Sequence, residues 1–82
     1  MSFKKVRDAH QTENTEDYLE LIADLLNQHG EARIVDIASK LDITQATVNK
    51  TIKRLQIQGY IQKEPYRSIF LTVKGQQIAS QS

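Results

Sequence analysis

The chain has no cysteine, so disulfide frameworks and thiolate metal sites are both excluded. It has no apolar run approaching the roughly 18 residues that a membrane-spanning helix needs. Lys4, Lys5 and Arg7 charge the N-terminus, but no apolar stretch follows them, so no secretory signal is visible and a cytoplasmic location is expected. There is no glycine-rich phosphate loop and no nucleophile motif. His10, His29 and Thr47 form no triad that spacing supports, so the chain reads as a non-enzyme.

What is present suits one small folded domain. The length is 82 residues, with 39% hydrophobic and 26% charged residues, a balance that does not suggest disorder. The net charge of +1 conceals a division. Residues 1–42 carry five bases and nine acids, a balance of −4; residues 43–82 carry six bases and only Glu64 as an acid, a balance of +5. The second half is the one suited to a polyanion.

Apolar periodicity divides the chain further. Residues 1–14 offer only Phe3 and Val6 as large apolar side chains and read as a flexible arm, with a folded domain over 15–82. Asn14 or Thr15 can cap a first helix with Glu16 and Asp17 in its first turn, where the helix dipole favours acids. Tyr18, Leu21, Ile22, Leu25 and Leu26 give it an apolar face, and Gly30 stops it. After a short extended piece at Ala32–Arg33, Ile34, Ile37, Ala38 and Leu41 recur at i, i+3, i+4 and i+7, the period of a second, short helix. Thr44 caps a third, whose inner positions are Val48, Ile52 and Leu55 and which ends at Gly59. The period then changes. Tyr60–Lys63 and Ser68–Leu71 read as two strands joined by a turn containing Pro65. Thr72 caps a last helix running from Val73 towards Ser80, with Val73 and Ile78 as apolar contacts.

The expected fold is therefore mainly α with a small β-hairpin, in the order helix-helix-helix-strand-strand-helix. A helix-turn-helix followed by a hairpin wing has this order. Two helices crossing steeply need a small residue at the contact, which Ala38 supplies. The tight turn after the first of them often uses glycine; here Asp42 must take the left-handed conformation, which Asp tolerates better than most residues. Ile43 and Val48 are expected to pin the turn and the start of the third helix to the core.

Between Ile43 and Lys63 there is no acid. The outer side of the third helix holds Gln45, Ala46, Thr47, Asn49, Lys50 and Lys53, with Arg54 near its edge and Thr44 at its start. Gln and Asn side chains pair with adenine edges, and Thr offers a hydroxyl or a methyl group. Lysines further along reach phosphates, which add affinity without sequence information. Arg67, beside Tyr66 at the wing tip, suits a minor groove or a phosphate. Double-stranded DNA, most naturally an inverted repeat, is the partner this pattern fits.

A resemblance extends along the same residues. Glu16-Asp17-Tyr18-Leu19-Glu20-Leu21-Ile22, Gly30-Glu31-Ala32-Arg33, Val35-Asp36-Ile37-Ala38, Gln45-Ala46-Thr47-Val48 with Lys50, Lys53-Arg54-Leu55, Tyr66-Arg67, and Leu71-Thr72 with Gly75 together resemble the diphtheria-toxin-repressor family of iron- and manganese-dependent repressors. The manganese transport regulator branch is the most similar. The likeness covers about residues 15–80. It implies a dimeric transcriptional repressor activated by manganese(II) or iron(II), with Asp17 and Glu20 as metal ligands from one helix face. In that family a further helical segment supplies the remaining ligands and the dimer interface. This chain stops at Ser82, so it is expected to need no metal of its own, and to be a monomer or a weak homodimer through its arm, first helix or last helix. Ser68 stands where the family commonly has glycine. An alternative of another class is a protein-interaction module that pairs with a full-length relative through the acidic face of the first helix and modulates its repression.

Overall fold

The computed structural model describes the backbone of residues 2–65 and 68–81, with side chains from Thr15 to Pro65 and Ser68 to Ser80. The elements follow in the order α1 (Ser2–His29), α2 (Ile34–Leu41), α3 (Gln45–Ile57), β1 (Ile61–Lys63), β2 (Ile69–Leu71) and α4 (Val73–Gln81). Among the described residues, four helices and one antiparallel hairpin, in this order, form a winged helix.

The first helix corrects an expectation. It begins at Ser2 rather than at Asn14 or Thr15, so the backbone of 2–14 is helical. The absence of an apolar period does not report that a segment is not helical. Residues 2–29 contain no glycine or proline. Helix extension from a turn already formed also escapes the cost of nucleation. The packed part of α1 buries Tyr18, Leu19, Ile22 and Leu25, with Leu21 and Leu26 half-buried beside them. Leu19 was not among the expected core positions. It is buried because α1 lies against α4, β2 and α2, a wider arc than one helical stripe covers. Gly30 ends the helix at φ 79°, and its N–H donates to the Leu26 carbonyl at 2.9 Å.

α2 starts from an extended Arg33 and buries Ile37 and Ala38. Its end is a left-handed cap. Asp42 has φ 57° and ψ 48°, its N–H donates to the Ser39 carbonyl at 3.3 Å, and the Ile43 N–H donates back to the Ala38 carbonyl at 3.1 Å. The turn is thus anchored through the backbone. The Ile43 side chain, expected as a pin, is only partly covered, at 37% exposed, and lies outside the buried core.

α3 sets Val48, Ile52 and Leu55 into the core. Each such aliphatic side chain contributes about 1.5–3 kcal/mol of transfer free energy. β1 and β2 pair with Ile61 opposite Leu71, Gln62 opposite Phe70 and Lys63 opposite Ile69. Ile61 and Ile69 point inward, whereas Phe70 on the other face stays exposed. Ala32 continues the sheet at its edge, accepting the Ile69 N–H on its carbonyl at 2.9 Å. Its own N–H finds no strand partner and donates instead to the Ser68 hydroxyl at 2.7 Å. Thr72 caps α4 as expected, accepting the Gly75 N–H at 3.1 Å. Ile78 packs against the core, but Val73 is 74% exposed and contributes no core contact. As the first residue of the helix it faces away from the body.

Candidate nucleic-acid interface

The turn between α2 and α3 decides which side of α3 meets solvent. Ala38, small and buried, lets the helices approach, and the left-handed Asp42 redirects the chain within two residues. Thr44 then caps α3 from an extended conformation. Its Oγ1 accepts the Thr47 N–H at 3.2 Å and lies 2.9 Å from the Thr47 Oγ1. One of these two hydroxyls donates to the other, leaving one proton directed to solvent.

With Val48, Ile52 and Leu55 inward, successive steps of about 100° place Ala46, Asn49, Lys50 and Lys53 in a stripe on the opposite side. Gln45 and Thr47 flank its start. All six are exposed. Lys50 and Lys53 make no hydrogen bond or ion pair with the other described residues. Two unneutralised ammonium groups thus stand about one turn apart beside short polar side chains, on a surface with no acid in its own segment. The stripe fits a groove with phosphates on its rim.

Two predicted residues stand apart from it. Arg54 is exposed, but its guanidinium is engaged within the molecule: Nη1 donates to Thr15 Oγ1 of α1 at 3.2 Å and to Gln58 Oε1 at 3.1 Å. Arg67, with Tyr66, lies outside the described residues.

Sequence reasoning missed the residues that hold the interface in place. The Ser68 hydroxyl lies 3.2 Å from the Ala32 carbonyl oxygen and accepts the Ala32 N–H, so it fastens the base of the wing to the α1–α2 junction. Thr72 Oγ1 donates to the Gly59 carbonyl at 2.7 Å. Lys74 Nζ donates to the Gln58 carbonyl at 2.9 Å and lies 4.8 Å from the centre of the Tyr60 ring. That cation closes the C-terminal end of α3, where the dipole favours it, and stacks on an aromatic face. Gly75 is buried against the Tyr60 carbonyl oxygen, where any Cβ would overlap it. A capping threonine was legible at position 72; its second bond, and the reason for glycine at 75, were not.

Asp17 and Glu20 lie on the packed half of α1, Asp17 exposed and Glu20 half-buried. Among the described residues, no three His, Cys, Asp or Glu side chains gather where one ion could be shared. An octahedral manganese(II) or iron(II) ion takes about six ligands, so these two carboxylates do not make a complete site. None of the described helices is long and apolar enough to cross a membrane.

A pair of helices joined by a left-handed turn, the second of them exposed and basic, with a two-stranded hairpin after it, defines a winged helix-turn-helix domain. The family model described as iron dependent repressor, N-terminal DNA binding domain, matches residues 10–69, and the chain belongs to that family. It is 48% identical over 80 residues to the transcriptional regulator MntR of Escherichia coli O6:H1, covering 98% of this chain and 52% of that protein. It is 49% identical over 80 residues to the MntR of Salmonella typhimurium, covering 98% and 51%. It is 40% identical over 67 residues to the HTH-type transcriptional regulator MntR of Shouchella clausii, covering 82% and 47%. The chain spans about half the length of the curated relatives it matches. Those relatives are transcriptional regulators.

Proposed function

We propose that this domain binds double-stranded DNA sequence-specifically by laying the outer stripe of α3 in the major groove, and that it acts as the reading head of a transcriptional repressor. The observation that carries this is the exposed, acid-free face with Lys50 and Lys53 unpartnered among the described residues. Gln45, Ala46, Thr47 and Asn49 are the candidates for base edges, where amide side chains read adenine and methyl groups meet thymine. Lys50 and Lys53 are the candidates for phosphates, and Arg67 for the wing contact. Thr44 acts chiefly through its cap, which sets where the first turn of α3 begins. Asp17 and Glu20, as an incomplete pair, take no part in groove reading.

One domain of this size offers few phosphate contacts, so an inverted repeat read by two copies is the natural target. The experiment is a salt titration of binding to a duplex carrying such a repeat. Log affinity is expected to fall linearly with log salt concentration, by roughly 0.9 for each phosphate neutralised. A flat dependence would remove the phosphate contacts and the proposal with them.

A further inference from the structure

We propose that Arg54 is a positioning residue: it ties α3 to α1 and so fixes the angle at which the α3 stripe meets DNA, instead of contacting phosphate. The proposal rests on the groove-binding role of α3 argued above.

Lys50, Lys53 and Arg54 are all cationic and all exposed, and the sequence puts them on one outer side of α3, Arg54 near its edge. The structure separates them. Arg54 lies about 100° round the helix from Lys53, on the flank turned towards α1. Its Nη1 reaches Thr15 Oγ1 at 3.2 Å and Gln58 Oε1 at 3.1 Å. The three residues join the packed start of α1, the third turn of α3 and the C-cap of α3. α1 packs chiefly against α4 and β2, and its backbone comes close to α3 at fewer points. A polar tie from Arg54 to the packed start of α1 therefore has leverage over the tilt of α3. Both acceptors are neutral, and Nη1 donates one of its two N–H groups to each, from the end of a longer, planar side chain whose reach a lysine does not match.

The test has two arms. In the first, without DNA, thermal unfolding is compared for the wild-type chain, Arg54→Met, Thr15→Val and the double variant. Each single substitution is expected to lower Tm by about 2–5 °C, and the double variant by clearly less than the sum. Strictly additive shifts would mean that the two side chains do not act together and would overturn the tie. In the second, salt titrations on an inverted-repeat duplex compare Arg54→Met and Arg54→Lys with Lys50→Met and Lys53→Met. The lysine variants are expected to reduce the salt slope by about 0.9 each. Both Arg54 variants are expected to keep the wild-type slope and to weaken binding about two- to fivefold, an effect below that of losing a phosphate contact. A slope reduced by about one in Arg54→Met, with wild-type affinity retained in Arg54→Lys, would show that the charge itself meets phosphate and would sink the proposal. If the wild-type chain shows no salt-dependent binding, the groove-binding role fails, while the melting arm still decides whether the tie exists.

Discussion

α1 and α3 are built on one plan and face solvent with opposite charge. Each buries a run of aliphatic or aromatic side chains in the shared core: Tyr18, Leu19, Ile22 and Leu25 on one, Val48, Ile52 and Leu55 on the other. Each stops at a glycine of positive φ, 79° at Gly30 and 86° at Gly59. The outer face of α1 then carries Glu16, Asp17, Glu20 and Asp24, and that of α3 carries Asn49, Lys50 and Lys53. Burial decides that both are helices and where they pack; it leaves the polar faces free to differ. A polyanion approaching this molecule is repelled from one helix and drawn to the other. The comparison teaches that function here is written on the residues the core does not constrain.

The largest expected effect breaks both faces at once. Gly75→Ala puts a methyl group into the Tyr60 carbonyl oxygen and forces α4 away from the α3–β1 corner and from α1. A cost of about 3 kcal/mol or more is expected, read as a loss of more than about 12 °C in thermal unfolding. Next comes the basic face alone. Replacing Lys50 and Lys53 together by Met is expected to lower duplex affinity by about 60-fold at 0.1 M salt, the counterion-release value for two lost phosphate contacts. Fluorescence anisotropy with a labelled duplex checks it, and unfolding should be little changed because both side chains are exposed. A smaller effect reaches α3 through its start. Thr44→Ala removes the acceptor for the Thr47 N–H and is expected to cost about 1 kcal/mol in urea unfolding. The smallest belongs to the acidic face. Asp17→Asn with Glu20→Gln removes two negative charges that make no contact with the α3 stripe, and is expected to strengthen duplex binding no more than about twofold at physiological salt, given the screening length.

The parts of this account that were legible in the sequence are local ones. The left-handed Asp42, the Thr44 and Thr72 caps, the α3 burial stripe and the extended Ala32–Arg33 piece each depend on neighbours within a few positions. Contacts across the chain were not legible. Ser68 meets Ala32 across 36 positions, Arg54 meets Thr15 across 39, and Lys74 meets the end of α3 across 16. No periodicity connects such pairs. Composition could mark Arg54 as basic and exposed, yet whether its charge points at a ligand or at Thr15 is a question of direction around a helix. Val73 shows the same limit from the apolar side: a hydrophobic residue at the start of a helix was expected to make an apolar contact, but it stands exposed. The start of α1 fails for a different reason, since a polar helix continuous with a packed one leaves no apolar signature.

The central claim is that the α3 stripe, and not the α1 face, meets DNA. Backbone amide NMR of the chain during titration with an inverted-repeat duplex tests it most directly. The largest shift changes are expected over Gln45–Lys53 and small ones over Glu16–Asp24. The reverse pattern, with α1 strongly perturbed and α3 silent, would contradict it.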